Sequence, residues 1–257
     1  MVFRKLMAAF GAGVEVDTVL HNAAVRPGEL MRGTVNMRGG GSDYKVEGIS
    51  IDLTAVVEVE SGDNEYKTTY SFLRQQVAGT FQLGAGASYS QPFEIAIPWE
   101  TPISAIGGHP LHGMRLGVST ELALAGAIDK GDLDPLFVNP LPAQEHVISA
   151  LDRSGFRFKK ADLERGTLRG STMPFFQEIE YYAGGQWGGH FSELELTFIA
   201  GPTQMDVILE ADKRGGFLTS SHDSYNRFTV RYGDRPEAVE QSLQHGLQAM
   251  AKRRGWF

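Results

Sequence analysis

Residues Gly13–Gly39, GVEVDTVLHNAAVRPGELMRGTVNMRG, read as strand, turn and strand. Val14, Val16, Thr18 and Leu20 alternate with Glu15 and Asp17, and Met31, Val35 and Met37 alternate with Arg32, Thr34, Asn36 and Arg38. That period of two is what a half-buried strand requires. Between the runs, Arg26-Pro27-Gly28-Glu29 has turn chemistry, because proline presets one dihedral and glycine accepts the positive φ that other residues resist. This stretch predicts an all-β protein and points to no reaction.

The same period continues outward. From Lys45 to Glu60, Ile49, Ile51, Leu53, Ala55, Val57 and Val59 hold the odd positions, so one face is core and the other is wet. Ser61-Gly62-Asp63-Asn64 then turns the chain into Tyr66, Thr68, Tyr70 and Phe72, a hairpin. Val77 to Leu83, Phe93 to Trp99 and Leu116 to Leu124 add further strands, at the regular spacing of a β-sandwich. The acidic, Pro-containing stretch Asp129 to Pro142 breaks the pattern and is the candidate interdomain linker. A short helix over Ala143 to Arg153 follows, with Val147, Ile148 and Leu151 on one face and Gly155 at its C-cap. Strands resume at Phe156 to Phe158, Gln177 to Tyr181, Glu193 to Ile199, Met205 to Ala211 and Arg227 to Tyr232. The chain closes on an amphipathic helix whose stripe is Val239, Leu243, Leu247 and Met250, with Asp234 and Glu237 as a capping pair, Lys252 to Arg254 at the negative end and Gly255 as its stop.

Composition agrees. Of 257 residues, 31 are glycine and 11 proline, which suits many short strands and turns. There is no cysteine, hence neither a disulfide framework nor thiolate metal binding, in keeping with a reducing cytoplasm. A net charge of −7 argues against a nucleic-acid partner, since phosphate binding needs a basic face. The apolar run Leu6 to Phe10 is too short for a signal peptide, and no stretch has the length of a membrane span, so membrane contact is confined to the surface.

Several short motifs, in order, carry a resemblance. They are Phe10-Gly11-Ala12-Gly13, Val16-Asp17-Thr18-Val19-Leu20, Pro27-Gly28-Glu29 and Gly33-Thr34-Val35, then Pro92-Phe93-Glu94-Ile95, Ile97-Pro98, Thr101-Pro102-Ile103, Asp132-Leu133-Asp134, Ile148-Ser149-Ala150-Leu151, Gly155-Phe156 and Leu194-Glu195-Leu196. With these the chain resembles the sporulation-control protein M family of arrestin-like bacterial proteins. The resemblance implies two tandem arrestin-like β-sandwiches, at residues 1–137 and 138–233, with short N-terminal, interdomain and C-terminal helices, the last at 234–257. It also implies a cytoplasmic regulatory adaptor that binds other proteins, with no catalytic residues, cofactor or metal.

His109 and His112 form H-P-L-H, but the intervening proline disfavours a helix and no carboxylate lies near in sequence, so they read as loop histidines. Asp129, Asp132 and Asp134 lack the glycine and terminal glutamate of an EF-hand loop and read as solvated linker. Glu178, Glu180, Glu193 and Glu195 are the residue types of a glycosidase pair, but alternation puts them opposite Ile179, Leu194 and Leu196, facing solvent. His222-Asp223-Ser224 are too close in sequence to converge as a triad. Gly39 to Gly41, Gly84 and Gly86 lack the phosphate-loop pattern. Arg157, Lys159, Lys160, Arg165 and Arg169 form a basic stretch that suits either a phosphate or acidic peptide or, more commonly, a solvated face.

The candidate protein contacts are therefore Trp187 and His190, in the glycine-rich loop Ala183 to His190, and the helix stripe Val239, Leu243, Leu247 and Met250. Each has a plain alternative: Trp187 folds back on its sheet, and the helix docks on its own domain. The N-terminal residues Phe3, Leu6, Met7 and Phe10 share that ambiguity. The alternative function is a β-sandwich module for a small molecule or carbohydrate, with Trp99, Trp187 or Trp256 stacking on the ligand.

Overall fold

The alternating runs become strands with the predicted faces inward. β1 (Glu15–Leu20) and β3 (Leu30–Arg38) pair antiparallel, and Val14, Val16, Thr18, Met31, Val35 and Met37 are buried. The chain is described here over residues 13–61, 64–125, 130–213 and 224–252 of a computed structural model. The expectations for Phe3 to Phe10, the Gly62-Asp63 turn, Asp129, His222, Asp223, Arg253 to Gly255 and Trp256 lie outside the described residues.

Between β1 and β3, β2 (Ala24–Val25) leaves the hairpin. β4 (Tyr44–Ser61) and β5 (Asn64–Ala78) form the long antiparallel pair, followed by β6 (Phe81–Leu83) and β7 (Ser88–Ala96). A small ribbon of β8 (Ala105–Ile106) and β9 (His109–Pro110) precedes β10 (Leu116–Leu124), β11 (Lys130–Pro135) and β12 (Phe137–Val138). After α1 (Pro142–Arg153) come β13 (Arg157–Arg165), β14 (Phe175–Tyr182), β15 (Phe191–Ala200), β16 (Gln204–Lys213), β17 (Ser224–Arg231) and α2 (Pro236–Lys252). The protein is mainly β, with its α-helices confined to these two places among the described residues.

Two cores result. In the first, the sheet β1-β3-β7 faces the sheet built on β4 and β10 across Val35, Ile51, Leu53, Val118 and Leu122. Each such side chain contributes roughly 1.5–3 kcal/mol by leaving water. In the second, the antiparallel run β13 to β17 is covered on one face by α1, α2 and the loop bearing Ile103 and Leu111. The cores do not divide cleanly by sequence: Ile103 and Leu111 belong to the second, while Leu163, Met173 and Phe175 join the first.

The stretch expected to be a linker is instead sheet. β11 pairs antiparallel with β10, and β12 pairs parallel with β2. The cause is local: β10 has a free edge there, Asp132 accepts the Thr18 N–H at 2.9 Å, and Thr18 and Thr120 share a buried hydroxyl contact of 2.6 Å. Asp132 thus ties β11 to β1 of the facing sheet.

The interdomain helix ends as expected. Gly155, at φ +94°, supplies the left-handed residue, and the Gly155 and Phe156 N–H groups donate to the Asp152 and Leu151 carbonyls. At α2 the expected cap is absent: the helix starts at Pro236, and the Asp234 carboxylate turns back to accept the Arg231 N–H at 2.8 Å.

Candidate functional site

The outward face of β13 to β16 is where charge concentrates. Register places Asp162 beside Glu178, Lys160 beside Glu180, Glu180 beside Glu195, and Glu195 beside Glu210. Glu178, Glu180, Glu193 and Glu195 do lie on this outward face, as alternation predicts, but they are half-buried or buried rather than wet. Glu180 is buried, gripped by Lys159 at 2.7 Å and Lys160 at 3.0 Å, and Lys159 also reaches Glu193 at 2.6 Å. Burial opposes ionisation of Glu180, but the hydrogen bonds from the two lysines outweigh it and hold its pKa below the ordinary range. Donating to Glu180 and then to Glu193 raises the Lys159 pKa, and donating to Asp162 does the same for Lys160.

Glu178 has no such help. Burial, then the charges of Glu195, Asp162, Glu164 and Glu210, push its carboxyl up to about 8. Beside it lies an open depression of about 940 Å³, lined by Tyr70, Glu164, Arg165, Phe176, Glu178 and Glu195. At its margin, Glu58, Asp162 and Glu164 bring one carboxylate oxygen each to within 4.8 Å of the others.

This network also withdraws two cations of the basic stretch from any phosphate or acidic-peptide contact. Lys159 and Lys160 are spent on the protein's own carboxylates, and the Arg165 guanidinium lies 5.9 Å from the Tyr70 ring centre. Arg227 donates to the Arg169 carbonyl at 2.6 Å. Phe156 is buried, whereas Phe158 is 40% exposed and lies edge-on to the buried Tyr181 ring at 6.2 Å.

Trp187 is buried, 4% exposed, and stacks on Phe191 at 6.0 Å. The glycines of its loop let the chain press against the α1 cap, where a Cβ on Gly155 would come within 3.2 Å of the Gly185 nitrogen. The tryptophan is driven into the second core, leaving its Nε1 buried without a hydrogen-bond partner. His190 stays exposed, on the rim of a depression with Gln186, Gln248 and Lys252. Val239, Leu243, Leu247 and Met250 are all buried in the second core, so the plain alternative, docking on the protein itself, holds for the helix stripe in this conformation.

The other candidates have structural roles. His109 and His112 are exposed on and beside the β8–β9 ribbon. The glycine clusters pack on each other, with the Gly39 N–H donating to Ala87 and the Gly86 N–H to Gly40. Ser224 donates to the Met250 carbonyl at 3.4 Å. Trp99 lies against Tyr232, 6.2 Å between ring centres.

One apolar groove went unread in the sequence. It holds about 410 Å³ between β4, β10 and β11, lined by Ala55, Val56, Met114, Leu116, Leu133 and Leu136. Leu133 is 66% exposed at its edge. The one signal available was a leucine between two aspartates, Asp132-Leu133-Asp134, where a solvated segment would carry another polar residue.

The profile of the SpoOM protein family matches residues 3–215. The chain belongs to that family. It is 31% identical over 264 residues to the sporulation-control protein spo0M of Bacillus subtilis (strain 168), an alignment that takes in 97% of this chain and 99% of that protein. The crystal structure of Spo0M, the sporulation control protein from Bacillus subtilis, matches with a TM-score of 0.83 at 28% identity, covering 94% of this chain and 100% of that one. The SpoOM profile thus takes in the acidic face, the Trp187 loop and the groove, whereas β17 and α2 lie beyond its end. None of the described helices is long and apolar enough to cross a membrane.

Proposed function

We propose that the chain is a non-catalytic regulatory adaptor of the sporulation-control type, arrestin-like in its two tandem halves, that acts in the cytoplasm by binding other proteins. The observation that carries this is the end-to-end similarity to the Bacillus subtilis sporulation-control protein, which involves both cores rather than one motif. Residues 1–137 and 138–233 are the two sandwich units, and residues 234–257 carry the helix that packs on the second. The groove beside Leu133 is the principal contact for a partner's apolar side chains, because a large exposed leucine at the lip of an apolar recess is a favourable anchor. Trp187 acts from beneath, holding the loop that presents His190 as a second contact, and the Val239, Leu243, Leu247 and Met250 stripe contributes by fixing α2.

The experiment is complementation with capture. The full chain is expressed in a Bacillus subtilis strain lacking its relative, heat-resistant spores are counted, and bound proteins are cross-linked and identified. Restored sporulation with a specific protein partner, both lost in Leu133→Glu, is the expected result. A stable chain that neither restores sporulation nor retains any protein overturns the proposal.

A second use of the same groove is small-molecule binding, favoured by its volume, which lies within the usual range of about 300–1,000 Å³ for ligand pockets. A metabolite that raises the melting temperature of the wild type but not of a Leu133 variant would support it, and no shift across a broad panel would exclude it.

A further inference from the structure

β4 is long enough to serve both halves. Its residues Val46 to Ala55 pair with β10, and beyond the end of β10 its Glu58 pairs in parallel with Glu164 of β13. That single register pair joins β4 to β13, and it sets two carboxylates side by side. Asp162, two residues before Glu164 and so on the same face, brings a third. Glu58 and Asp162 are both buried. Three acids this close, two of them out of water, are strongly unfavourable without compensation.

The compensation is incomplete at Asp162. Lys67 pairs with Glu58, and Lys160 donates to Asp162 Oδ2 at 2.5 Å while also serving Glu180. Asp162 Oδ1 is buried and has no hydrogen-bond partner, although the residue is only 4% exposed. A buried carboxylate oxygen left without a donor marks a position where a positive group belongs. Both lysine side chains are substantially exposed, at 57% and 40%, and can swing into solvent if a cation takes their place.

We infer that Glu58, Asp162 and Glu164 form a calcium site that ties β4 to β13 across the junction of the two halves. The donor set is all oxygen, which selects hard cations over zinc or copper. Separations of up to 4.8 Å equal twice a calcium–oxygen distance of about 2.4 Å, whereas magnesium requires about 2.1 Å and near-ideal octahedral geometry. The adjacent depression supplies a route for the ion and room for the waters that complete its shell.

The test is a titration of the full chain, freed of divalent ions by EDTA, with calcium chloride and separately with magnesium chloride. Heat release and melting temperature are both followed. Saturable binding of one calcium per chain is expected, with a rise in melting temperature and at least about tenfold weaker magnesium binding. Glu164→Gln, at the partly exposed edge of the site, should weaken calcium binding at least about tenfold. Glu210→Gln, on the same sheet face but outside the three, should leave it unchanged. Absence of heat and of any melting shift in the folded wild type up to about 10 mM calcium overturns the site. So does binding that survives both Glu164→Gln and Glu58→Gln unaltered.

Discussion

The side chain of Gln177 replaces a strand partner for Ile103. The Ile103 N–H donates to Oε1 at 2.9 Å, and Nε2 donates to the Ile103 carbonyl at 2.7 Å, all of it buried. Ile103 follows β7 by a loop and Gln177 lies in β14, so this one amide fastens the loop to the second sheet. Gln177→Ala leaves two buried backbone groups unpaired and should cost about 2–4 kcal/mol. Gln177→Glu, which keeps the acceptor and loses the donor, should also destabilise. Urea unfolding of the three proteins measures both.

Gly28 has φ +81°, and a Cβ there would lie 2.5 Å from the Trp99 ring. The turn therefore needs glycine twice, for its backbone and for its neighbour. Gly28→Ala should destabilise by at least about 2 kcal/mol and shift tryptophan fluorescence as Trp99 is displaced. A variant as stable as the wild type would show that the turn does not pack on Trp99.

Glu178 should make stability depend on pH. Its folded pKa of about 8 lies above its ordinary 4.5, so the native state holds this proton more tightly than the unfolded state does. The stabilisation is complete below pH 4.5, declines as pH rises, and is gone above about 8. Glu178→Gln cannot ionise, so its advantage over the wild type should grow across that window, by up to roughly 4–5 kcal/mol at pH 9. Chemical denaturation at several pH values gives the difference directly. A difference that stays flat with pH would mean that Glu178 titrates as an ordinary surface acid.

Leu243 and Leu247 are fully buried in the second core. Leu243→Ala or Leu247→Ala should therefore cost about 2–5 kcal/mol in the isolated protein, with no partner present. A stripe held in reserve for a partner would show almost no change in isolation and a loss only in binding.

Much of the architecture was legible because it rests on neighbours in the chain. Ile49, Ile51 and Leu53 declare a buried face by alternation alone, and Gly155 declares the end of α1 by the conformation it alone adopts cheaply. The burial of Trp187 was less legible, because a tryptophan among glycines looks exposed until the α1 cap and Phe191 are brought to it. The segment Lys130–Pro135 looked like linker because its composition is acidic, and composition does not reveal a free strand edge waiting at β10.

The sequence by itself determined the all-β class, the positions of most strands, both helices and, through its ordered motifs, the family. Those properties depend on residue type and short spacing, which the covalent chain already sets. Tertiary structure alone decided that β4 would outrun β10 to meet β13, that Lys159 and Lys160 would be consumed by Glu180, Glu193 and Asp162, and that Glu58, Asp162 and Glu164 would converge. Residues separated by about a hundred positions become neighbours only through sheet register, and a slip of one residue would turn each of these side chains to the opposite face.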